Sequence, residues 1–130
     1  MASGNWQGMV EGIKEKGMLA KRMYAVFTTS TGGMDAIMQN LEEHLAYQVD
    51  LEARGIMFGV GPFANDAETD WEGEGMVIVR AASLDEAKAI AEADPMHRSG
   101  ARKFRIRPWL LNEGSYTVTV RYSQQYRAIA

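Results

Sequence analysis

The sequence contains no cysteine. That excludes a disulfide framework and thiolate chemistry, and it fits a reducing, cytoplasmic setting. Histidine occurs twice, at 44 and 97, with no metal-type ligand spacing, so neither a metal nor a cofactor is called for. No apolar run approaches the roughly 18–20 residues of a membrane span. The first residues, Met-Ala-Ser-Gly-Asn-Trp-Gln-Gly, lack the basic-then-apolar pattern of a signal peptide. No Gly-x-Ser-x-Gly nucleophile motif is present. Gly59-x-Gly61 precedes no helix and so is no dinucleotide fingerprint. The acidic run Asp66, Glu68, Asp70, Glu72, Glu74 lacks the glycine and terminal glutamate spacing of a calcium loop.

What remains is an ordinary globular composition, 46% apolar and 24% charged over 130 residues, enough for one hydrophobic core. The net charge of −3 is unevenly spread. Residues 98–130 carry seven basic side chains against Glu113, which leaves the remainder strongly acidic. An overall acidic chain is a poor nucleic-acid binder, and nothing here points to a membrane partner.

Residues 5–21 read as a short amphipathic helix, with Trp6, Met9, Val10 and Ile13 on one face and three glycines weakening it. Residues 23–29 form a strand, broken by Ser-Thr-Gly-Gly. A long helix over 34–54 carries Met34, Ile37, Met38, Leu41, His44, Leu45 and Gln48 along one stripe and ends at Gly55. A second strand covers 56–63, a polar connection 64–74 and a third strand 76–81. Ser83-Leu84-Asp85-Glu86 is a capping box opening a helix over 84–93, which Pro95 ends. A polar turn at 96–100 and a fourth strand at 102–109 follow.

The β-α-β-β-α-β order is the split βαβ pattern. It predicts an α+β, ferredoxin-like antiparallel sheet with both helices on one face. The other face, rich in apolar side chains, then needs a partner, and a homodimer packed sheet to sheet is the economical answer. Residues 1–22 read as an N-terminal helical extension, 23–109 as the main domain and 110–130 as a C-terminal strand and tail. In that tail, 115–122 alternate as a fifth strand and 123–130 look loosely held.

His44 is either a half-buried histidine with one hydrogen bond or a general acid–base group. Asp94, read as the last turn of the second helix, faces the negative end of the helix dipole, a cost that a partner or a function would have to offset. The bland reading is an exposed Asp-Pro turn. A His–Asp pair is a useful acid–base unit, because the carboxylate fixes the imidazole tautomer. His97 and Arg98 follow directly: either a solvated turn or the rim of a pocket, where Arg98 could grip an oxyanion. Gly59 and Gly61, before Pro62, either leave room for a ligand or let backbone pack closely. The exposed face of the fourth strand (Lys103, Arg105, Arg107) and the acidic run suggest mutual ion pairing.

The stretches Glu43-His44-Leu45-Ala46, Gly55 through Gly61-Pro62, Gly75-Met76-Val77-Ile78-Val79, Ser83-Leu84-Asp85-Glu86-Ala87, Ala93-Asp94-Pro95 and Arg105-Ile106-Arg107-Pro108-Trp109 carry a resemblance. Together they resemble the YciI-like (YCII-related) family of the dimeric α+β barrel superfamily over roughly residues 23–109. The resemblance implies a sheet-to-sheet homodimer and a pocket holding a histidine and an aspartate, here His44 and Asp94. It also implies lyase or isomerase chemistry, like that of a dehydrochlorinase of a chlorinated hydroxyhydroquinone or of muconolactone isomerase. Residues 1–22 and the strand after Trp109 depart from the short family pattern. The expectation is a small cofactor-free enzyme. His44 and Asp94 would be catalytic, and Gly61, Pro62, His97 and Arg98 would touch a small anionic, aromatic or lactone-like substrate. The alternative is a ligand-binding or structural dimeric module without turnover.

Overall fold

In the computed structural model, which describes residues 4–130, the elements run in chain order. They are α1 (Trp6–Glu15), β1 (Lys21–Ser30), α2 (Gly33–Ala53), β2 (Met57–Ala64), β3 (Trp71–Val79), α3 (Leu84–Glu92), α4 (Pro95–Arg98), β4 (Arg102–Leu111), β5 (Val118–Arg121) and β6 (Tyr126–Ile129). Residues 1–3, part of the expected N-terminal extension, lie outside the described residues. The chain folds as two units, one of residues 22–109 and one made by the residues on either side of it.

In the central unit the sheet order is β2-β3-β1-β4, with β1 and β2 each antiparallel to β3. This is the ferredoxin-like βαββαβ arrangement. Alternation sorts the strand side chains. Val26, Met57, Val77 and Val79 join Leu51 of α2 and Ala87 and Ala91 of α3 in the main core. A smaller cluster of Ile37, Met96 and Ala101 ties α2 to α4. The opposite face carries Ala25, Phe27, Phe58, Phe63, Met76, Ile78 and Trp109 around a concavity of about 650 Å³. Phe58 and Trp109 meet there edge to face, with centroids 6.5 Å apart.

Local signals set the helix ends. After α2 the Ile56 N–H reaches the Leu51 carbonyl and the Gly55 N–H the Glu52 carbonyl, with Gly55 at φ 74°. That is a Schellman ending, and glycine meets its left-handed requirement without strain. The Ser83 hydroxyl accepts from the Glu86 N–H, and the Glu86 carboxylate accepts from the Ala82 N–H.

Several expectations are corrected. The third strand begins at Trp71 rather than 76, so part of the expected polar connection is β3. The expected turn at 96–100 contains the one-turn helix α4. The buried face of α2 is Ile37, His44, Gln48 and Leu51, while Met34, Met38 and Leu45 of the expected stripe are exposed. The acidic run and the basic face of β4 make no ion pair with each other among the described residues. The acidic segment borders β2 and β3, and β4 lies at the other edge of the sheet.

In the flanking unit, the Asn5 side chain caps α1 by accepting from the Gly8 N–H. Val10, Ala20 and Leu110 form its small core. Residues 115–122 do not extend the four-stranded sheet: Val118–Arg121 pairs antiparallel with Tyr126–Ile129 in a two-stranded sheet. The tail expected to be loosely held supplies that partner strand. Among the described residues no helix is long and apolar enough to cross a membrane.

Candidate active site

Three elements of the central unit bring the polar residues together. His44 and Gln48 stand one turn apart on the buried face of α2, so both point the same way. Asp94 belongs to neither the last turn of α3, which ends at Glu92, nor its C-cap, Ala93. It is the N-cap of α4, extended at φ −65° and ψ 128°, and its carboxylate accepts from the Met96 N–H at 2.9 Å. Pro95 takes the first helical position, where a missing N–H costs nothing. The dipole penalty expected for Asp94 therefore does not arise, because a carboxylate at an N-cap is favourable.

His44 Nδ1 lies 2.8 Å from both Asp94 oxygens, and Gln48 Nε2 donates to Oδ2 at 3.1 Å. An ionised carboxylate only accepts, so Nδ1 carries the proton, and in the neutral ring Nε2 keeps the lone pair. Nε2 has no hydrogen-bond partner among the described residues. Burial alone would raise the Asp94 pKa. The hydrogen bond and charge of His44, the Met96 N–H and the charge of His97 outweigh it and hold the carboxyl below its usual range. Asp94 is thus ionised at neutral pH although it is only 3% exposed.

His44 and Gln48 form part of the wall of a cavity of about 340 Å³. The rest is mostly apolar, Leu41, Leu45, Val60, Pro62, Trp71, Met76 and Val77 with Gly61 and Gly75, and includes the polar residues Thr28 and Glu74. Nothing lies within 4 Å of a Cβ built on Gly61 or on Gly59. Both positions therefore border open space, and the close-packing reading of these two glycines is corrected. The close approach falls at Gly75 instead, where a Cβ would sit 2.9 Å from the Gly61 carbonyl oxygen.

The same cavity is lined by Arg102, which the sequence reading did not single out. Its side chain is buried, its guanidinium lies 5.8 Å from the Trp71 ring centroid, and it has no ion-pair partner among the described residues. Burial lowers its pKa and Asp94 opposes the shift. Arginine nonetheless stays charged, since its ordinary value is so high. The signal for it was present. Arg102 shares strand parity with Phe104 and Ile106, both packed against the core, so a cation sits on the covered face of β4.

Of the residues expected at the site, His44, Asp94, Gly61 and Pro62 come together. His97 and Arg98 do not line this cavity. The His97 ring turns inward: Nδ1–H donates to the Ala91 carbonyl at 2.6 Å and the ring packs against Phe104 at 4.6 Å between centroids. Burial lowers the His97 pKa, with the Ala91 hydrogen bond and Asp94 opposing. Arg98 is exposed at the end of α4. Among the described residues no group of three His, Asp or Glu side chains is arranged to hold a metal ion.

Fold and cavity together define an α+β domain of ferredoxin-like topology with a buried His–Asp pair opening on an apolar pocket. The model of the YCII-related domain matches residues 22–110, and the chain belongs to that family. Among solved structures it is similar to 5-chloro-2-hydroxyhydroquinone dehydrochlorinase from Burkholderia phenoliruptrix, in complex with 2,5-dihydroxybenzoquinone. The two share 22% identity at a TM-score of 0.57, over 67% of this chain and 92% of that one, a likeness of fold. A search of curated protein sequences returns no match.

Proposed function

We propose that the protein is a small cytoplasmic enzyme that uses His44, oriented by Asp94, to move a proton on a small anionic substrate, aromatic or lactone-like. One observation carries the reading: the imidazole is fixed through Nδ1, and its Nε2 lone pair is left for an apolar cavity of about 340 Å³. A cavity of that size takes a single small ring.

In the first step Nε2 removes a proton from a carbon or hydroxyl next to a carbonyl or enolate oxygen. The imidazolium that forms is stabilised by the Asp94 carboxylate. For an isomerisation, the imidazolium returns the proton to a different carbon. For an elimination, the released electron pair forms a double bond and expels a leaving group such as chloride, and the proton passes on to water. The similarity in fold to a dehydrochlorinase favours testing the elimination first. The open sheet face, with Phe58, Phe63 and Trp109 partly exposed, is proposed to pack against the same face of a second copy.

The test is turnover of 5-chloro-2-hydroxyhydroquinone and of muconolactone by the full chain. It is followed by chloride release, ultraviolet absorbance and deuterium uptake in D₂O. Wild type is expected to turn over one of them, and His44→Asn to lose roughly 10²–10⁴-fold in rate, the usual contribution of an acid–base group. Tight binding of either compound without turnover would make the protein a binding module. Undiminished activity in His44→Asn would remove the histidine from the mechanism.

A further inference from the structure

We propose that Gln48 and Arg102 form the recognition pole of the cavity, fitting a ring that presents an anionic oxygen to Arg102 and a hydroxyl proton to Gln48. The proposal rests on the reading that this cavity is the substrate site.

Gln48 is only 7% exposed. Its Nε2 is committed to Asp94, and its Oε1 is buried with no hydrogen-bond partner among the described residues. Arg102 is likewise 7% exposed, and its Nε–H is buried without an acceptor. Asp94, whose charge acts on Arg102 through space, is already hydrogen-bonded to His44, Gln48 and Met96. Buried polar groups are ordinarily satisfied, and an orphan calls for an explanation. Here one unmet acceptor and one unmet donor belong to residues of the same cavity, whose polar lining otherwise consists of His44, Thr28 and Glu74, and Glu74 makes no ion pair with Arg102. A purely structural arginine would be expected to carry a carboxylate partner. An arginine kept free on an aromatic ring is suited to an incoming oxyanion instead.

The demands are complementary to a definite chemistry. A carboxylate, phenolate or enolate oxygen accepts from the guanidinium. A hydroxyl on the same ring donates to Gln48 Oε1, and a site built to hydrogen-bond a hydroxyl discriminates strongly against an analogue lacking it. Leu41, Val60 and Trp71 would contact the faces of the ring. The substrate class is therefore a hydroxylated cyclic acid or enol, rather than an unfunctionalised aromatic acid.

The test is calorimetric titration of the full chain with 2-, 3- and 4-hydroxybenzoate and the three matching fluorobenzoates. Wild type is expected to prefer at least one hydroxybenzoate over its fluoro analogue by about tenfold or more. Gln48→Met should erase that preference and leave fluorobenzoate binding unchanged. Should Gln48→Met fail to fold, Gln48→Asn, whose shorter amide withdraws from the hydroxyl, should show the same loss. Arg102→Met should weaken all the acids about tenfold or more and raise the thermal midpoint, because an unpaired buried charge is replaced by an apolar chain of similar size. The proposal is overturned if no acid binds wild type, if the hydroxyl preference survives at Gln48, or if Arg102→Met lowers the midpoint without weakening binding. His44→Asn should keep these preferences while losing turnover. Turnover intact with binding selectivity absent would overturn this proposal alone; the reverse would overturn the acid–base reading alone.

Discussion

Replacing Asp94 by asparagine separates the charge of this residue from its shape. Asparagine caps a helix about as well as aspartate, so the Met96 N–H keeps an acceptor. One oxygen also remains for His44 Nδ1–H. The amide nitrogen then stands where Oδ2 stood, opposite the Gln48 Nε2 donor. Gln48 can answer by turning its own amide over, which presents the otherwise unpartnered Oε1 to the new N–H. What is lost is the charge assistance on the histidine bond and on the glutamine bond. A bond to a charged group contributes about 1.5–3 kcal/mol, against about 1 kcal/mol for a neutral one. Over the two bonds the expected destabilisation is therefore about 1–4 kcal/mol at pH 7, mostly below the roughly 3–5 kcal/mol of a stranded buried charge. The pH dependence follows from the lowered pKa of Asp94. In wild type its contribution is fully present above the unfolded carboxylate value of about 3.9, and is lost as pH falls through the lower native value. Asparagine does not titrate. Urea denaturation of both proteins should show a gap that is constant from pH 7 to about pH 5 and that closes below about pH 4. A gap that widens on acidification, or an Asp94→Asn protein as stable as wild type at pH 7, would refute the hydrogen-bond reasoning.

Gly75→Ala should cost about 1–3 kcal/mol, because its Cβ meets the Gly61 carbonyl oxygen at 2.9 Å. Gly61→Ala, with open space around its Cβ, should leave the thermal midpoint within a few degrees of wild type, and a large drop would show that the space is not open. His97, half-buried with its pKa lowered by desolvation, leaves the unfolded chain to bind the proton first. Stability should fall as pH drops from about 6.5 toward the native value, and denaturation of His97→Gln should show a flatter profile over that window; an unchanged slope would exclude His97 as the cause. Phe58→Glu places a charge on the open sheet face, and light scattering is expected to give dimer for wild type and monomer for the variant; a wild-type monomer would dispose of sheet-to-sheet pairing.

Element order was legible because the connections are short and each helix carries its own start or stop: Ser83 and Glu86 for α3, Gly55 for α2. The start of β3 was hidden by its glycines. Gly73 and Gly75 occupy the buried positions of Trp71–Gly75, so the period-two pattern shows charge on one face and, beyond Trp71, no side chain on the other. Only the approach of the Gly61 carbonyl explains the absent side chain at 75, and that is a three-dimensional fact. Asp94 was found for a reason that the structure reverses. It drew attention as a misplaced C-terminal charge, and it proves to be a well-placed cap on a helix too short for periodicity to reveal. The orphaned atoms of Gln48 and Arg102 have no signature in sequence at all, because the pairing of a buried group depends on what fails to reach it.

The cap also links the chemistry to the fold. The oxygen that starts α4 is one of the two that fix the His44 tautomer, and Met96, the residue whose N–H it holds, packs with Ile37 of the helix that carries His44. Weakening at Asp94 therefore acts on the seating of α4 against α2 as well as on the imidazole, so activity lost in an Asp94 variant mixes two causes. His44→Asn leaves the cap on Met96 and the Ile37–Met96–Ala101 cluster in place, and removes the unpartnered Nε2 of a residue that lines the cavity. A rate loss that is large in His44→Asn with the melting temperature nearly kept, set beside a smaller rate loss and a real fall in stability in Asp94→Asn, is the pattern that a positioned base and its supporting cap require.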